Sequence, residues 1–203
     1  MIDIGRAKLY TGTERNVRAV AEGKLVAVRA YTEADIDRLL AAVEVSIPEI
    51  ARYETWCHPG FAHADAASYV NWWRRAWADA QAYYFAVEEL ATGDFLGSCG
   101  LSGLLRDHRR AGLGYWIRSD RTGRGFATDA ARTVMQLGFA DLGLNRIEVE
   151  CAVANVASRR IAEKLGCVQE GILHCRLVLP GGVTDTAMYA SLRSAGDSAL
   201  SRG

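Results

Sequence analysis

The chain is short of proline and has no excess of either charge. Three prolines against 20 glycines in 203 residues exclude a proline-rich linker protein. Lys+Arg and Asp+Glu stand at 24 each, so the formal net charge is zero. A protein that wraps nucleic acid through its overall charge should be basic, and that class is disfavoured. No uninterrupted apolar run is long enough to span a bilayer. The opening Met1-Ile2-Asp3-Ile4-Gly5-Arg6 lacks the basic-then-apolar layout of an export signal, so a cytoplasmic protein is expected. The five cysteines, Cys57, Cys99, Cys151, Cys167 and Cys175, are odd in number and form no Cys-x-x-Cys. This argues against zinc or a disulfide framework and for small buried hydrophobes, and no metal site is expected. Cys57-His58 and His174-Cys175 are sequence neighbours, whose side chains point apart on a strand or helix.

What is present is the composition of a globular domain, 50% hydrophobic and 24% charged. Residues 1–24 are weakly patterned and read as an N-terminal extension, 25–193 as one domain and 194–203 as a tail. Leu25 to Ala30 alternates like a strand. Thr32-Glu33-Ala34-Asp35 reads as a helix start with Thr32 accepting from a free amide, followed by Ile36, Leu39, Leu40 and Val43 at helical spacing. Ser68 to Ala80 reads as a helix whose Tyr69, Trp72 and Trp73 go to the core or to a substrate mouth. A hairpin turns at Ala91-Thr92-Gly93-Asp94, and Ala111 to Arg118 is a further strand. Ala127 to Leu142 is a helix stopped by Gly143, Arg146 to Val153 a strand, and 156–165 a short helix. Two strands then flank Pro180-Gly181-Gly182. The order β-α-α-β-β-β-α-β-α-β-β predicts an α/β sandwich with a mixed, mostly antiparallel sheet.

The loop from Ser119 to Thr128 joins a strand to a helix and holds Gly123 and Gly125. Glycines let the backbone aim several N–H groups into one concavity, and the helix start adds free amides and partial positive charge. An anion site fit for a pyrophosphate is expected, with Arg121 and Arg124 adding charge. A Walker A loop is absent, because no Gly-x-x-x-x-Gly-Lys-Ser/Thr occurs. The string Gly123-Arg124-Gly125-Phe126-Ala127-Thr128 fails the dinucleotide pattern at its last position.

Several stretches come in a telling order: Gly114-Tyr115-Trp116-Ile117, Gly123-x-Gly125-Phe126-Ala127-Thr128-Asp129-Ala130, Gly143-Leu144-Asn145-Arg146-Ile147, Asn155-x-x-Ser158 and Glu163-Lys164-Leu165-Gly166-Cys167. Over roughly residues 25–193 the chain resembles the GNAT acetyltransferase superfamily, in its RimJ/RimL-like branch. The resemblance implies a GNAT-type sandwich with helices on both faces of the sheet. It implies an N-acetyltransferase that moves the acetyl group of acetyl-CoA to a primary amine by direct attack in a ternary complex. The acceptor would be a protein N-terminus or a small-molecule amine, and the chain is compatible with a homodimer. A non-catalytic acyl-CoA-binding module on the same fold is the alternative.

By the same resemblance Thr122, Gly123, Arg124, Gly125, Phe126, Ala127 and Thr128 cradle the pyrophosphate. Trp116, Ile117 and Arg118 pair with the pantetheine arm through main-chain groups, in a gap between diverging parallel strands. Asn155 bonds the pantetheine or caps the next helix. Thr122 stands where such proteins usually have Gln or Arg, and Arg121 is expected to supply the missing reach. Ala162 stands where many members carry a tyrosine acid, which leaves Ser158 as the donor to the departing thiolate. Gly112 stands where members often carry an acid, which leaves Glu150, Glu88, His108 and His174 as candidate bases. Of these Glu150 borders the expected acetyl site.

Overall fold

The computed structural model describes residues 21–193. The strands are β1 (Ala21–Glu22), β2 (Val26–Ala30), β3 (Tyr83–Glu89), β4 (Phe95–Leu105), β5 (Arg110–Ile117), β6 (Arg146–Ala152), β7 (Val168–Leu179) and β8 (Gly182–Leu192). The helices are α1 (Asp35–Glu44), α2 (Ile47–Ile50), α3 (His63–Ala78), α4 (Phe126–Ala140) and α5 (Val156–Lys164). The strands form one sheet in the order β1-β2-β3-β4-β5-β6-β8-β7. Every neighbouring pair is antiparallel except β5 with β6. This is the mixed, mostly antiparallel sheet that the element order predicts.

Helices cover both faces because the central strands are apolar on both. On one face Val26, Val28, Phe85, Leu96, Leu101 and Leu113 pack with Ala130, Ala131 and Val134 of α4. On the other, Ala86, Phe95 and Trp116 pack with Leu39 and Val43 of α1 and Ala66 and Val70 of α3. Gly100 and Gly114 lie opposite each other on β4 and β5. A Cβ on Gly114 would fall 2.1 Å from the Tyr84 hydroxyl, and one on Gly100 would fall 2.5 Å from the Tyr84 Cα. These glycines therefore leave a trough for the Tyr84 ring, which stacks on Trp73 at 3.8 Å.

Three expectations are corrected. The Thr32 side chain does not cap α1 by accepting an amide. Thr32 donates from its amide and hydroxyl to Asp35, at 2.8 and 3.0 Å. The reason is Arg29 on β2, whose guanidinium draws Asp35 into the interior at 2.6 Å. Helix α3 begins at His63, five residues before the expected start, because Asp65 turns back to accept the Ala62 amide and secures a first turn that lacks apolar spacing. The sheet begins at Ala21, inside the stretch read as an extension, since Ala21–Glu22 adds an edge strand to β2. The rest of that extension, 1–20, and the tail 194–203 lie outside the described residues.

Candidate active site

Strands β5 and β6 pair only at Arg110–Arg146, Ala111–Ile147 and Gly112–Glu148. Beyond Gly112, β5 stays with β4, and β6 stays with β8. The two parallel strands therefore part, and a gap opens between them on the way to the C-terminal end of β5. The Arg118 amide donates to the Leu96 carbonyl at 2.8 Å. Strand alternation then turns the peptide groups of Trp116 toward β4 and those of Ile117 and Tyr115 toward the gap. Of Trp116, Ile117 and Arg118, Ile117 is thus the one whose main chain faces it. The Trp116 ring packs on the opposite face, 5.7 Å from Trp56.

At the end of β5 the chain makes a 3-10 turn, Ser119–Arg121, and enters the glycine loop. Gly123 and Gly125 have φ of +78° and +90°, a left-handed backbone that side-chain-bearing residues rarely adopt. Gly125 is the N-cap of α4 and supplies no side-chain cap. The first helix-closing bond runs from the Asp129 amide to Gly125 at 3.0 Å. Among the described residues, none of the amides from Gly123 to Thr128 donates to a protein acceptor. Six free N–H groups at a helix start, in a turn with two left-handed residues, make an anion cradle. Phe126 is buried and anchors the first turn. The Asp129 carboxylate accepts from the Leu25 and Val26 amides at 2.7 and 3.2 Å, which fixes the same turn to β2.

The two arginines of this loop separate. Arg121 binds Glu89 and Asp94, each at 2.8 Å, so it braces the β3–β4 hairpin and does not replace the reach lost at Thr122. Arg124 is exposed and makes no ion pair among the described residues. Thr122 donates its hydroxyl to the Ser119 carbonyl at 3.0 Å.

Asn155 caps α5, its side-chain oxygen accepting the Ser158 amide at 3.1 Å. The Ser158 side chain has a partner that the sequence reading missed. The Tyr115 hydroxyl donates to the Ser158 carbonyl at 3.0 Å and lies 3.2 Å from the Ser158 Oγ. A phenol from β5 and a hydroxyl from α5 thus meet across the strand separation. Burial pushes the Tyr115 phenol well above its usual range, so it stays protonated at neutral pH. Burial likewise raises the Cys151 thiol beside Ser158. The alternation of Leu113, Tyr115 and Ile117 was the available signal, since it places Tyr115 on the α4–α5 face.

Three of the expected bases are engaged elsewhere and the fourth is exposed. Glu150 accepts from Arg176 at 3.0 Å, on the β6 face turned away from Cys151. Glu88 is held by Arg29 and Arg38 at 2.7 and 2.5 Å. His174 pairs with Asp185 at 2.9 Å on the exposed β7–β8 hairpin, and His108 is exposed in the turn before β5. Among the described residues no group of His, Cys, Asp and Glu could hold a metal, and no helix is long and apolar enough to cross a membrane.

The strand separation thus leads from a helix-start anion cradle to a pair of hydroxyls, those of Tyr115 and Ser158. Residues 26–168 match the family profile for the acetyltransferase (GNAT) domain, and the chain belongs to that family of acetyl-CoA-dependent N-acetyltransferases. Within it the similarity runs to the RimJ/RimL-like branch. YdaF of Bacillus subtilis (strain 168), provisionally named a ribosomal N-acetyltransferase, is 29% identical over 172 residues, 83% of this chain and 91% of its own. RimL, a ribosomal L7/L12 alpha-N-protein acetyltransferase solved with coenzyme A, matches with a TM-score of 0.79 at 18% identity, covering 86% of this chain and 98% of its own. Mycobacterium smegmatis RimJ, solved with CoA-disulfide, matches at 0.78 and 24%, covering 86% and 87%. At these identities the two solved structures speak for the fold.

Proposed function

We propose that the chain acetylates the free α-amino group of a protein, by direct attack on acetyl-CoA in a ternary complex. The observation that carries this reading is the run of unpartnered amides from Gly123 to Thr128, opening beside the β5–β6 gap. Those amides and the Arg124 guanidinium hold the pyrophosphate, with Thr122 fixing the turn before them. Ile117 offers its peptide groups to the pantetheine arm, while Trp116 and Arg118 keep β5 in register with β4. When bound, acetyl-CoA supplies an acetyl thioester. Asn155 holds the start of α5, so that Ser158, backed by Tyr115, donates a proton to the sulfur as it departs. Cys151 beside them is a protonated thiol, which supports direct attack over transfer through an acyl-cysteine. The names of YdaF, a ribosomal N-acetyltransferase, and RimL, a ribosomal L7/L12 alpha-N-protein acetyltransferase, support a protein N-terminus as acceptor and a cytoplasmic reaction.

The test follows free CoA thiol with acetyl-CoA and a panel of short peptides differing in the first residue, with spermidine as a small-molecule amine. Turnover on peptides with free N-termini, lost when the α-amino group is blocked, is expected. Turnover on spermidine alone would overturn the acceptor class. Binding of acetyl-CoA with no turnover on any amine would favour a binding module.

A further inference from the structure

The face of the gap opposite Ser158 is crossed by the segment that follows α2. The Tyr53 hydroxyl donates to the Ala154 carbonyl, in the turn between β6 and α5, at 3.2 Å. Three residues on, the Trp56 ring packs 5.7 Å from Trp116 of β5. The segment is therefore tied to the far side of the gap at one end and to the near side at the other. Along the chain Glu54 lies between the two ties. Its backbone is fixed as well, the amide donating to Ile50 at 2.9 Å and the carbonyl accepting from Cys57 at 3.4 Å.

Among the described residues the Glu54 carboxylate accepts one hydrogen bond, from the Trp56 indole at 3.1 Å, and forms no ion pair. This sets it apart from Glu88, Glu148, Glu150 and Asp35, each of which is held by an arginine. The groups around it are aromatic or weakly acidic: Tyr69 on α3, Tyr84 on β3 and Cys57 on its own segment. Trp56 lies 4.7 Å from Tyr69, which continues the ring wall toward Trp73. An unpaired carboxylate walled by aromatic faces is a site for an organic cation, attracted by the charge and by the ring quadrupoles.

We infer that Glu54 binds the acceptor's ammonium group and is the general base that deprotonates it, the acceptor entering from the α1–α3 face. The inference rests on the transferase reading above and adds to it the base that no residue expected from sequence supplies. The proton balance is closed. Glu54 takes one proton from the ammonium and leaves a free amine. The amine forms its C–N bond to the acetyl carbon as the C–S bond breaks. The second amine proton goes to the sulfur by way of Ser158 and Tyr115, and Glu54 returns its own proton to solvent. Acid and base thus stand on opposite faces of one gap.

Burial raises the Glu54 carboxyl above its ordinary 4.5, the Trp56 bond opposing this only in part. A carboxyl raised on folding stabilises the fold at low pH and loses that contribution as pH rises through its folded value. Where Glu54 is ionised it therefore weakens the fold relative to its protonated form, as a group kept for chemistry does.

The experiment compares the full chain with Glu54→Gln and Glu54→Asp. Glu54→Gln keeps the shape and the acceptor for the Trp56 indole. It should lower kcat/KM for an accepted peptide at least 100-fold, abolish the acid limb of the pH–rate profile and leave the Kd for acetyl-CoA unchanged. Glu54→Asp should recover part of the rate. Without any ligand, Glu54→Gln should melt at the same temperature as the parent or higher at pH 7. A Glu54→Gln rate within threefold of the parent, or a lower melting temperature with equally weakened acetyl-CoA binding, would overturn the inference. A parent that binds no acetyl-CoA would instead refute the transferase reading, and the ligand-free melting comparison would still judge Glu54.

Discussion

Replacing Ser158 by alanine separates chemistry from architecture, because the structure divides the serine's bonds between backbone and side chain. The Ser158 amide goes to Asn155 at 3.1 Å, and its carbonyl receives Tyr115 at 3.0 Å. Both survive in Ser158→Ala. The substitution removes the 3.2 Å contact between Oγ and the Tyr115 hydroxyl and the weak bond between Oγ and the Cys151 thiol. A neutral hydrogen bond contributes about 0.5–1.5 kcal/mol, and here the phenol keeps a second acceptor, so the low end applies. Alanine's better helix propensity returns a few tenths, roughly 0.3 kcal/mol. The net loss is about 0.5 kcal/mol or less, roughly 1–2 °C in melting temperature for a chain of this size. If Ser158 protonates the leaving sulfur, kcat should fall about 100-fold, which is roughly 2.7 kcal/mol in the barrier. The assay is CoA thiol release at saturating acetyl-CoA, read beside a melting curve. Because the thiolate charge develops only along the reaction, acetyl-CoA affinity should hold. A kcat within twofold of the parent would refute the assignment. Tyr115→Phe should also lower kcat, and the two losses should combine non-additively if both hydroxyls serve one proton path.

Asp129→Ala removes two charge-assisted bonds to the Leu25 and Val26 amides, and the fold should lose about 2–4 kcal/mol by urea titration. Arg29→Met leaves buried Asp35 with only the longer Arg38 contact at 3.6 Å, and the loss should be about 3–5 kcal/mol at pH 7. Burial opposes ionisation of Asp35 and Glu88, but the Arg29 bonds outweigh it and hold both carboxyls below their ordinary 3.8 and 4.5. Their stabilisation is therefore present above those values and is lost as pH falls through the lower folded ones. An acid titration of melting temperature should show that loss in the parent and a flatter curve in Arg29→Met.

The order of elements and the glycine loop were legible because they rest on local chemistry: alternation in Arg146–Ala152, helical spacing in Phe126–Ala140, and two glycines before a helix. What escaped the sequence were contacts between distant residues. Nothing local says that Arg121 turns to Glu89 and Asp94, 32 and 27 residues away, and so away from the glycine loop. Glu150 looked available until Arg176 reached it from the neighbouring hairpin. Tyr115 and Ser158 are 43 residues apart and meet only because β5 and β6 separate. Glu54 carries no motif. It stands out through the two ties, Tyr53 to Ala154 and Trp56 to Trp116, that hold its segment over the gap.

The central claim, that the amides of 123–128 receive the pyrophosphate of acetyl-CoA, is tested most directly by calorimetric titration of the full chain and of Gly125→Glu with acetyl-CoA. A Cβ at Gly125 meets only Leu25, at 3.5 Å, so the new side chain fits outside the core. Its left-handed backbone adds strain of about 1–2 kcal/mol, and its carboxylate fills and repels the cradle. The parent should bind, and acetyl-CoA at a hundredfold excess over Kd should stabilise it by about 2.7 kcal/mol, while the folded variant shows neither heat nor stabilisation. A variant that binds acetyl-CoA like the parent, or a parent that does not bind it, would contradict the account.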